Sequence, residues 1–403
     1  GERAMSRLRP GTELDGFTVC ELLHTGGMAD LFRVTYASGR AEPFPMVMKV
    51  PRMGGGEGAE NIVSFEVEHQ MLQAVHGVNV PRFVAAGDLA RQPYLVMEYV
   101  HGRTLQAVLD DAFASKQRPD ADTIARIGRL LAHAAHALHK QDAVHLDLKP
   151  ANVVLRENGG AVLLDFGLSW HAHYPDLLAE ELRKAVGSPA WMAPEQVVGV
   201  RGDPRSDIFA IGVMLYELAT GELPFGAPET QGGLRQRLWM EPAPPRRHAP
   251  QTPPWLQEVI LRCLGPEAAQ RYPSAAHLAF DLAHPAQVKL GPRAERTQGI
   301  PFTQQFKRWI KAAGMHYQPS PLPTQRIAEV PIVMVAVPHQ DVTEATLYSL
   351  REAVGRSLGI RPGARLAVVT VILRVLPALP SVRPLMSADN PRLVIGELKS
   401  LLK

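Results

Sequence analysis

Hydrophobic and polar residues change their spacing along the chain. The first 100 residues contain four short runs typical of β-strands, at 17–23, 31–36, 45–50 and 94–99. Among them, residues 61–75 have apolar side chains at helical spacing. From Thr104 to about Leu282 the spacing stays helical, interrupted by loops rich in Gly, Pro and Asp. This order predicts a small β-rich lobe at 14–100 and a larger helical lobe at 101–287, preceded by an N-terminal extension at 1–13.

The pattern changes again after the helical lobe. Residues 288–329 lack a sustained period and repeat Pro, Gly and Gln, so we predict a linker with one short helix around Phe306. Residues 330–403 contain two strand-like runs, 331–337 and 364–373, with helix signals between and after them. This last region is therefore predicted to be a partial α/β module that begins as a βαβ unit.

Composition indicates a globular protein with more than one core. The chain has 403 residues, of which 46% are hydrophobic and 21% charged, and a single core rarely serves such a length. The net charge is +3 without a long block of one sign, so no nucleic-acid partner is expected. No apolar run approaches the ~20 residues of a transmembrane helix, and no signal-peptide pattern is found. Two distant cysteines, Cys20 and Cys263, suggest core thiols in a reducing compartment, so we expect a cytoplasmic location.

Candidate phosphate-binding residues lie in the β-rich lobe. Gly26 and Gly27 fall between two predicted strands, where backbone amides can approach a phosphate, although such a pair is more often only a hairpin turn. Lys49 lies in an apolar strand, so it needs an anionic partner unless it reaches solvent at a sheet edge. Glu68 in the predicted helix can face Lys49, or it can be a solvated surface charge.

A second set of candidates follows in the helical lobe. Residues 145–152 (HLDLKPAN) precede the run 162–167 (VLLDFG). Phosphoryl transfer needs a carboxylate to orient the acceptor hydroxyl, a cation near the transferred phosphate, and oxygen ligands for Mg²⁺. That set is supplied by Asp147, Lys149, Asn152 and Asp165.

These motifs resemble the protein kinase superfamily, and chiefly the bacterial eukaryotic-like Ser/Thr kinases. The later motifs of that family follow in order at 187–195 (GSPAWMAPE), 206–212 (SDIFAIG) and Gln270-Arg271. The resemblance covers about residues 14–287 and implies an α+β bilobal protein kinase fold. It also implies an enzyme that uses ATP and Mg²⁺ to phosphorylate Ser and Thr residues of proteins, including its own.

The resemblance implies a role for each matching residue. Asp147 is expected to be the catalytic base, with Lys149 and Ser188 in the acceptor site. The position of Lys149 favours Ser/Thr over Tyr as the acceptor. Lys49, paired with Glu68, is expected to hold the α- and β-phosphates. The other implied nucleotide or metal contacts are Gly26, Gly27, Leu31 and Val47, the gatekeeper Met97, the hinge from Glu98 to Val100, and the metal ligands Asn152 and Asp165.

Four positions depart from the family pattern. His24, Ala29 and Val47 each replace a smaller residue, but the central glycine pair remains, so we expect ATP binding to survive. Val47 is expected to crowd the purine. Leu146 replaces the arginine that binds the activation-loop phosphate in many kinases. We therefore expect activity that does not require phosphorylation of the activation segment.

The activation segment, 167–187, supports that expectation. Its only hydroxyl groups belong to Ser169 and Tyr174. Residues 176–186 combine helix-forming residues with an apolar series, which predicts a short helix that orders itself by packing through Leu178, Leu182 and Val186. The alternative is that another cation binds a phosphate at Ser169.

Several further signals have structural explanations. Glu195 is expected to pair with Arg271 in the interior, and Asp207 to bind the backbone of the catalytic loop. Three histidines at i, i+3 and i+6 suggest a metal site, but that spacing drifts around a helix, so core or surface histidines are favoured at His133, His136 and His139.

Residues 330–403 are similar to part of a universal stress protein domain. Pro338-His339 stands where that family usually has an acidic nucleotide contact, and its glycine-rich phosphate loop is not found. Either the module is cut short, or it is a reduced sheet that docks on the kinase and binds no nucleotide.

Two other functions stay open at this point. A pseudokinase is disfavoured because Lys49, Asp147, Asn152 and Asp165 are all present. A small-molecule phosphotransferase with a kinase-like fold is disfavoured because 187–195 resembles the peptide-acceptor loop of protein kinases.

Overall fold

The computed structural model describes residues 8–52, 58–89, 91–181, 187–314, 317, 322, 332–338 and 365–371. Residue contacts divide the chain into two units, 1–327 and 328–403. Within the described ranges, no helix is long and apolar enough to cross a membrane.

The first lobe is a six-stranded antiparallel sheet with one helix packed against it. Alternation along β3 buries Phe32 and Val34 and exposes Arg33 between them. The strand order is β1-β2-β3-β4-β6-β5. Leu31 lies opposite Lys49 in the register of β3 and β4, so both side chains lie on one face of the sheet. The elements are β1 (Glu13–Leu14), β2 (Phe17–Thr25), β3 (Ala29–Tyr36), β4 (Met46–Pro51), α1 (Gly58–Ala74), β5 (Phe83–Ala86) and β6 (Leu95–Glu98).

Short strands and two helices open the second lobe. Strands β7, β9 and β10 form a three-stranded sheet, and β8 pairs with β11 so that Val144 lies opposite Trp170. Because β8 precedes residues 145–152 and β11 follows Gly167, this pair connects the two candidate catalytic segments. The elements are β7 (Arg103–Thr104), α2 (Leu105–Ser115), α3 (Ala121–His139), β8 (Ala143–Val144), β9 (Val153–Leu155), β10 (Ala161–Leu163) and β11 (Trp170–His171).

The core of the second lobe forms around α3. Asp120 starts this helix by accepting a hydrogen bond from the Thr123 amide at 2.7 Å. Buried Ile124, Ile127 and Leu131 then follow at helical spacing. Helices α6 and α10 pack on α3, and α9 packs on α6. The remaining helices are α4 (Leu177–Glu181), α5 (Pro194–Val197), α6 (Pro204–Thr220), α7 (Gln231–Arg235), α8 (Pro245–His248), α9 (Pro254–Cys263) and α10 (Ala275–Ala283). A β-rich lobe followed by a helical lobe confirms the predicted α+β bilobal architecture.

The chain continues along the helical lobe after α10. Val288, Ala294 and Ile300 are buried, and α11 (Phe302–Ala313) confirms the short helix predicted around Phe306. Where the structure describes it, the segment predicted as a linker over 288–329 is thus folded onto the lobe. The helical lobe therefore extends beyond residue 287, where the sequence predicts its end.

In the unit 328–403, the described residues form two paired parallel strands, β12 (Ile332–Pro338) and β13 (Arg365–Val371), with Ile332 opposite Arg365. Both strands were expected from their apolar runs. The helix predicted between them and the one predicted after Asn390 lie outside the described residues.

Candidate active site

A cleft of about 660 Å³ opens between the β-sheet and the helical lobe. Its walls come from the β2–β3 turn, β4, α1, β6 and the segments around Asn152 and Asp165. Most residues expected from the sequence to contact nucleotide or metal line it: Gly26, Gly27, Leu31, Val47, Lys49, Glu68, Met97, Glu98, Val100, Lys149, Asn152 and Asp165.

The glycine pair forms the turn between β2 and β3. The Gly26 amide donates to the Ala29 carbonyl at 2.9 Å, which closes the turn. A Cβ at Gly26 would lie 3.1 Å from that carbonyl oxygen, whereas one at Gly27 would meet nothing within 4 Å. The turn is therefore tight at Gly26, and Gly27 leaves space over the cleft. His24 contributes to the rim of the same cleft.

Lys49 lies between two carboxylates. Its Nζ is 2.5 Å from Glu68 Oε2 and 3.7 Å from Asp165 Oδ1. The Glu68 side chain is 4% exposed, so α1 must stand close to the sheet for this pair to form. Burial alone would lower the pKa of Lys49, but the charges of Asp165 and Glu68 outweigh it and raise that pKa. A protonated ammonium is thus fixed at the floor of the cleft.

The hinge region lies at the end of β6. Met97 is buried beside Val47, which is its partner across β4 and β6. The Glu98 carboxylate accepts from Arg156 Nη2 at 2.9 Å and from the Arg82 amide at 3.2 Å. Those bonds hold the side chain, and the Glu98 amide donates to the Arg82 carbonyl at 2.8 Å, so the part of Glu98 left to face a ligand is its backbone carbonyl.

The Asp207 side chain holds the catalytic segment, residues 145–152, by binding backbone amides of that segment. Its carboxylate accepts from the amides of His145 and Leu146, each at 2.9 Å. It also contacts His139 Nε2 at 2.8 Å. Burial alone would raise the pKa of Asp207, but the hydrogen bond with His139 and the backbone bonds lower it. These bonds confirm the predicted tie and place His139 in the core. In the described ranges, no three His, Cys, Asp or Glu residues form a metal cluster.

Asp147 and Ser188 meet at Lys149, which lines the cleft. Asp147 Oδ1 accepts from the Ser188 amide at 3.0 Å. Lys149 Nζ donates to Ser188 Oγ at 2.9 Å and lies 3.7 Å from Asp147 Oδ2. Burial raises the pKa of Asp147, and the charge of Lys149 opposes that rise. The Asp147 carboxylate, whose pKa is raised, therefore lies beside the ammonium group of Lys149. Both side chains contact the loop at Ser188, which is distant in sequence.

The donor set fits a divalent cation. Asn152 Nδ2 donates to the Asp147 carbonyl at 3.0 Å, so its amide oxygen is the group suited to a metal. The Asp165 side chain is 45% exposed and is therefore accessible from the cleft. Burial would raise the pKa of Asp165, but the charge of Lys49 is the larger influence and lowers it, which keeps the carboxylate ionised. Carboxylate and amide oxygens are hard ligands of the kind that Mg²⁺ prefers.

Glu195 and Arg271 form the buried pair that the sequence predicts. Arg271 Nη1 and Nη2 donate to the two Glu195 oxygens at 2.7 and 2.9 Å, and Ser206 Oγ donates to Oε1 at 2.7 Å. Both ionic side chains are almost completely buried. Through these bonds the loop after Ser188 is connected to the start of α6 at Ser206 and to Arg271, which precedes α10.

Sequence reasoning missed the main tie of the activation segment. Arg201 Nε donates to Asp176 at 2.8 Å, and Arg201 Nη2 donates to the carbonyls of Leu168 and Ser169 at 3.0 Å each. Asp176 also caps α4 by accepting from the Ala179 amide at 3.3 Å. No spacing rule joins Asp176 to Arg201. The only signal in the sequence was the acidic residue at the start of the predicted helix.

The helix predicted in this segment is present as α4. It packs on α1, and its Leu178 is fully buried. Leu182 and Val186, the other members of the predicted apolar series, lie outside the described residues. Ser169 is buried, and its hydroxyl donates to the His145 carbonyl at 2.9 Å.

Comparison with known proteins places these features in a family. The protein kinase domain model matches residues 40–281. The chain is 31% identical over 302 residues to serine/threonine-protein kinase PknB of Mycolicibacterium smegmatis, covering 70% of this chain and 46% of that protein. It is 32% identical over 279 residues to serine/threonine-protein kinase pkn2 of Myxococcus xanthus, covering 67% of this chain and 32% of that protein. The chain thus spans less than half the length of these relatives.

The kinase match includes Lys49, Glu68 and the whole segment from Asp147 to Arg271. It ends before residues 330–403, whose resemblance to universal stress proteins is not supported by these comparisons. More than half of the 403 residues are matched, and the chain belongs to the protein kinase domain family.

Proposed function

We propose that this chain transfers the γ-phosphoryl group of ATP, with Mg²⁺, to Ser and Thr residues of proteins, including its own. The observation that carries the proposal is the contact of Asp147 and Lys149 with Ser188, where Lys149 lines a cleft that also contains Lys49, Glu68 and Asp165. The relatives named above are serine/threonine-protein kinases, which agrees with this activity.

The residues divide the work of transfer. Asp147 orients the acceptor hydroxyl and takes its proton as the hydroxyl oxygen bonds to the γ-phosphorus and the bond to the β-phosphate oxygen breaks. Lys149 offsets the charge of the transferred group, and Lys49 holds the α- and β-phosphates. Asn152 and Asp165 would hold Mg²⁺, and the ion would neutralise phosphate charge there. The adenine lies beside Val47 and Met97 and meets the backbone from Glu98 to Val100.

We further propose that this activity does not require a phosphate on the activation segment. Leu146 offers no cation to a phosphate. Asp176 already supplies a negative charge, which Arg201 binds at 2.8 Å. Ser169 is buried and hydrogen-bonded, which leaves exposed Tyr174 as the other hydroxyl of the segment.

The proposal for residues 330–403 is more limited. We propose a reduced α/β module, and the support is the parallel pairing of β12 with β13. We also propose that it binds no nucleotide, because Pro338-His339 stands where the similar family usually has an acidic nucleotide contact. For the whole chain we propose a cytoplasmic location, which suits an enzyme that uses ATP and has the unpaired cysteines Cys20 and Cys263.

The activity is tested by incubating the chain with radiolabelled ATP, Mg²⁺ and casein or myelin basic protein, followed by phosphoamino-acid analysis. We expect phosphoserine and phosphothreonine on the substrate and on the chain. Transfer to aminoglycosides but not to proteins would identify a small-molecule phosphotransferase. ATP binding without any transfer in a single-turnover assay would identify a pseudokinase.

A further inference from the structure

One side chain from beyond the predicted kinase domain reaches the catalytic segment. Leu322 is 2% exposed and forms an apolar cluster with buried Val144 and Leu146. Trp170 and Ala172, which are half-buried, pack against the same cluster. The contact therefore joins the strand before the catalytic segment, the residue next to Asp147 and the start of the activation segment.

Leu146 is a position where such support matters. Its φ is 62°, a left-handed conformation that is unfavourable for a leucine. Its amide donates to Asp207 Oδ1 at 2.9 Å, and its carbonyl accepts from Gln196 Nε2 at 2.8 Å. The backbone of Leu146 is thus fixed by two polar side chains, and its own side chain is fixed by the apolar cluster. Asp147 follows directly, so its position depends on all three restraints.

The segment that precedes Leu322 is attached along the helical lobe. Gln257 Nε2 donates to the carbonyls of Arg293 and Arg296 at 2.7 and 2.8 Å. On α11, Arg308 pairs with Glu241 at 2.7 Å, and Lys311 pairs with Glu267 at 2.6 Å. These ion pairs are partly exposed, so each adds little stability alone. They attach α11 to the helical lobe at Glu241 and Glu267.

Tyr317 lies between α11 and Leu322 in the sequence. Its hydroxyl is buried without a hydrogen-bond partner among the residues that the structure describes. Burial raises the pKa of Tyr317, and the charge of Glu195 adds to that rise.

We propose that the described part of residues 288–322 is an intramolecular activating element, and that Leu322 is a positioning residue that acts on Asp147 through Leu146. The inference rests on the proposed function and adds its regulation. With Leu322 seated, Leu146 keeps its left-handed conformation and Trp170 stays against β8. When Leu322 leaves, that apolar restraint is lost, while the Lys49 and Asp165 side of the cleft is unchanged.

The test uses three variants of the full chain: Leu322→Ala, the conservative Leu322→Met, and Leu290→Ala as a matched control. Leu290 belongs to the same segment but is 53% exposed and lies outside the cluster. We expect Leu322→Ala to lower kcat about tenfold or more while the KM for ATP changes less than about twofold. Leu322→Met and Leu290→Ala are expected to keep kcat close to that of the unmodified chain.

Hydrogen exchange provides a readout that does not depend on activity. In Leu322→Ala, peptides that cover 143–148 and 168–172 are expected to exchange faster, while peptides from α3 and α6 exchange as before. Unchanged exchange, or unchanged kcat, would overturn the inference whatever the other variants do. Loss of ATP binding together with kcat would also overturn it, because Leu322 would then support the whole lobe. If the unmodified chain transfers no phosphate, the proposed function fails, and the exchange comparison still decides the role of Leu322.

Discussion

Arg201 Nε donates a hydrogen bond to the carboxylate of Asp176 across 2.8 Å, and this bond ties the activation segment to the loop before α6. The Arg201 side chain is 9% exposed, so the charge pair is largely shielded from solvent. The same guanidinium binds the carbonyls of Leu168 and Ser169. One arginine thus binds both the start of the segment and the residue just before α4.

Activity is therefore expected to survive removal of phosphate from the activation segment. The purified chain is treated with a broad phosphatase, mass spectrometry verifies that Ser169 and Tyr174 are unmodified, and initial rates are measured. We expect the rate to stay within about twofold of the untreated enzyme, because Asp176 already supplies the required charge. A decrease in the initial rate of more than about tenfold, reversed by autophosphorylation, would contradict this proposal.

Removing the charge of Asp176, in contrast, is expected to lower activity. Asp176→Asn keeps a side chain that can cap α4 but loses the charge-assisted bond to Arg201, which is worth about 1.5–3 kcal/mol. We expect kcat to fall by about tenfold or more. Glu157→Gln, which changes an exposed carboxylate in the same lobe, is the control. Equal rates for the two variants would show that Asp176 does not order the segment.

Asp165 is expected to be required for metal-dependent nucleotide binding. Asp165→Ala removes the ionised carboxylate that faces the cleft, and a metal contact of several kcal/mol corresponds to an affinity loss of about 100-fold. Titration calorimetry with ATP, in Mg²⁺ and in EDTA, measures the loss. Asp111→Ala, at a 73% exposed side chain on α2, is expected to bind as before. Mg·ATP affinity that is the same in both variants contradicts the assignment.

The buried pair predicts how stability depends on pH. Burial would raise the pKa of Glu195, but Arg271 lowers it below the ordinary value for a carboxyl group. Because the folded-state pKa lies below the unfolded-state pKa, the carboxylate stabilises the fold above the unfolded-state value. That contribution is lost as the pH falls through the folded-state pKa. Glu195→Gln should therefore lower the free energy of unfolding by about 3–5 kcal/mol near neutral pH, and by less in acid.

Denaturant unfolding at several pH values measures that difference. Glu295→Gln is the control, since Glu295 is 77% exposed in its pair with Arg246 and such pairs contribute about 1 kcal/mol or less. A loss for Glu195→Gln that is independent of pH, or no larger than that of the control, would refute the explanation.

The sequence predicted the parts of the site that local pattern determines. Strand alternation located β3 and β4, and helical spacing located α1, so Lys49 and Glu68 could be expected to face each other. Motif order made Asp147, Asn152 and Asp165 the candidates for catalysis and metal binding, because phosphoryl transfer restricts which side chains can serve it. Their catalytic roles stay predictions. These predictions concern residues whose neighbours are near in sequence or fixed by the chemistry.

The missed contacts join parts of the chain that no local pattern relates. Asp176 and Arg201 are charged residues in loops, and no periodicity connects them. Leu322 is an apolar residue in a proline-rich stretch that predicted a linker, and only the tertiary fold brings it to Leu146. The sequence shows that Leu146 stands in place of the usual arginine. It does not show that Leu146 packs in an apolar cluster with Val144 and Leu322.

Transfer to a protein substrate by the unmodified chain and by Asp147→Asn, with Lys49→Met as a second variant, tests the central claim most directly. Each enzyme is mixed with radiolabelled ATP, Mg²⁺ and myelin basic protein in a single-turnover assay, and the melting temperature of each is measured in parallel. We expect phosphoserine and phosphothreonine from the unmodified chain and almost none from either variant, with all three folded. Near-normal transfer by folded Asp147→Asn would contradict the account, as would a chain that binds Mg·ATP and phosphorylates no protein.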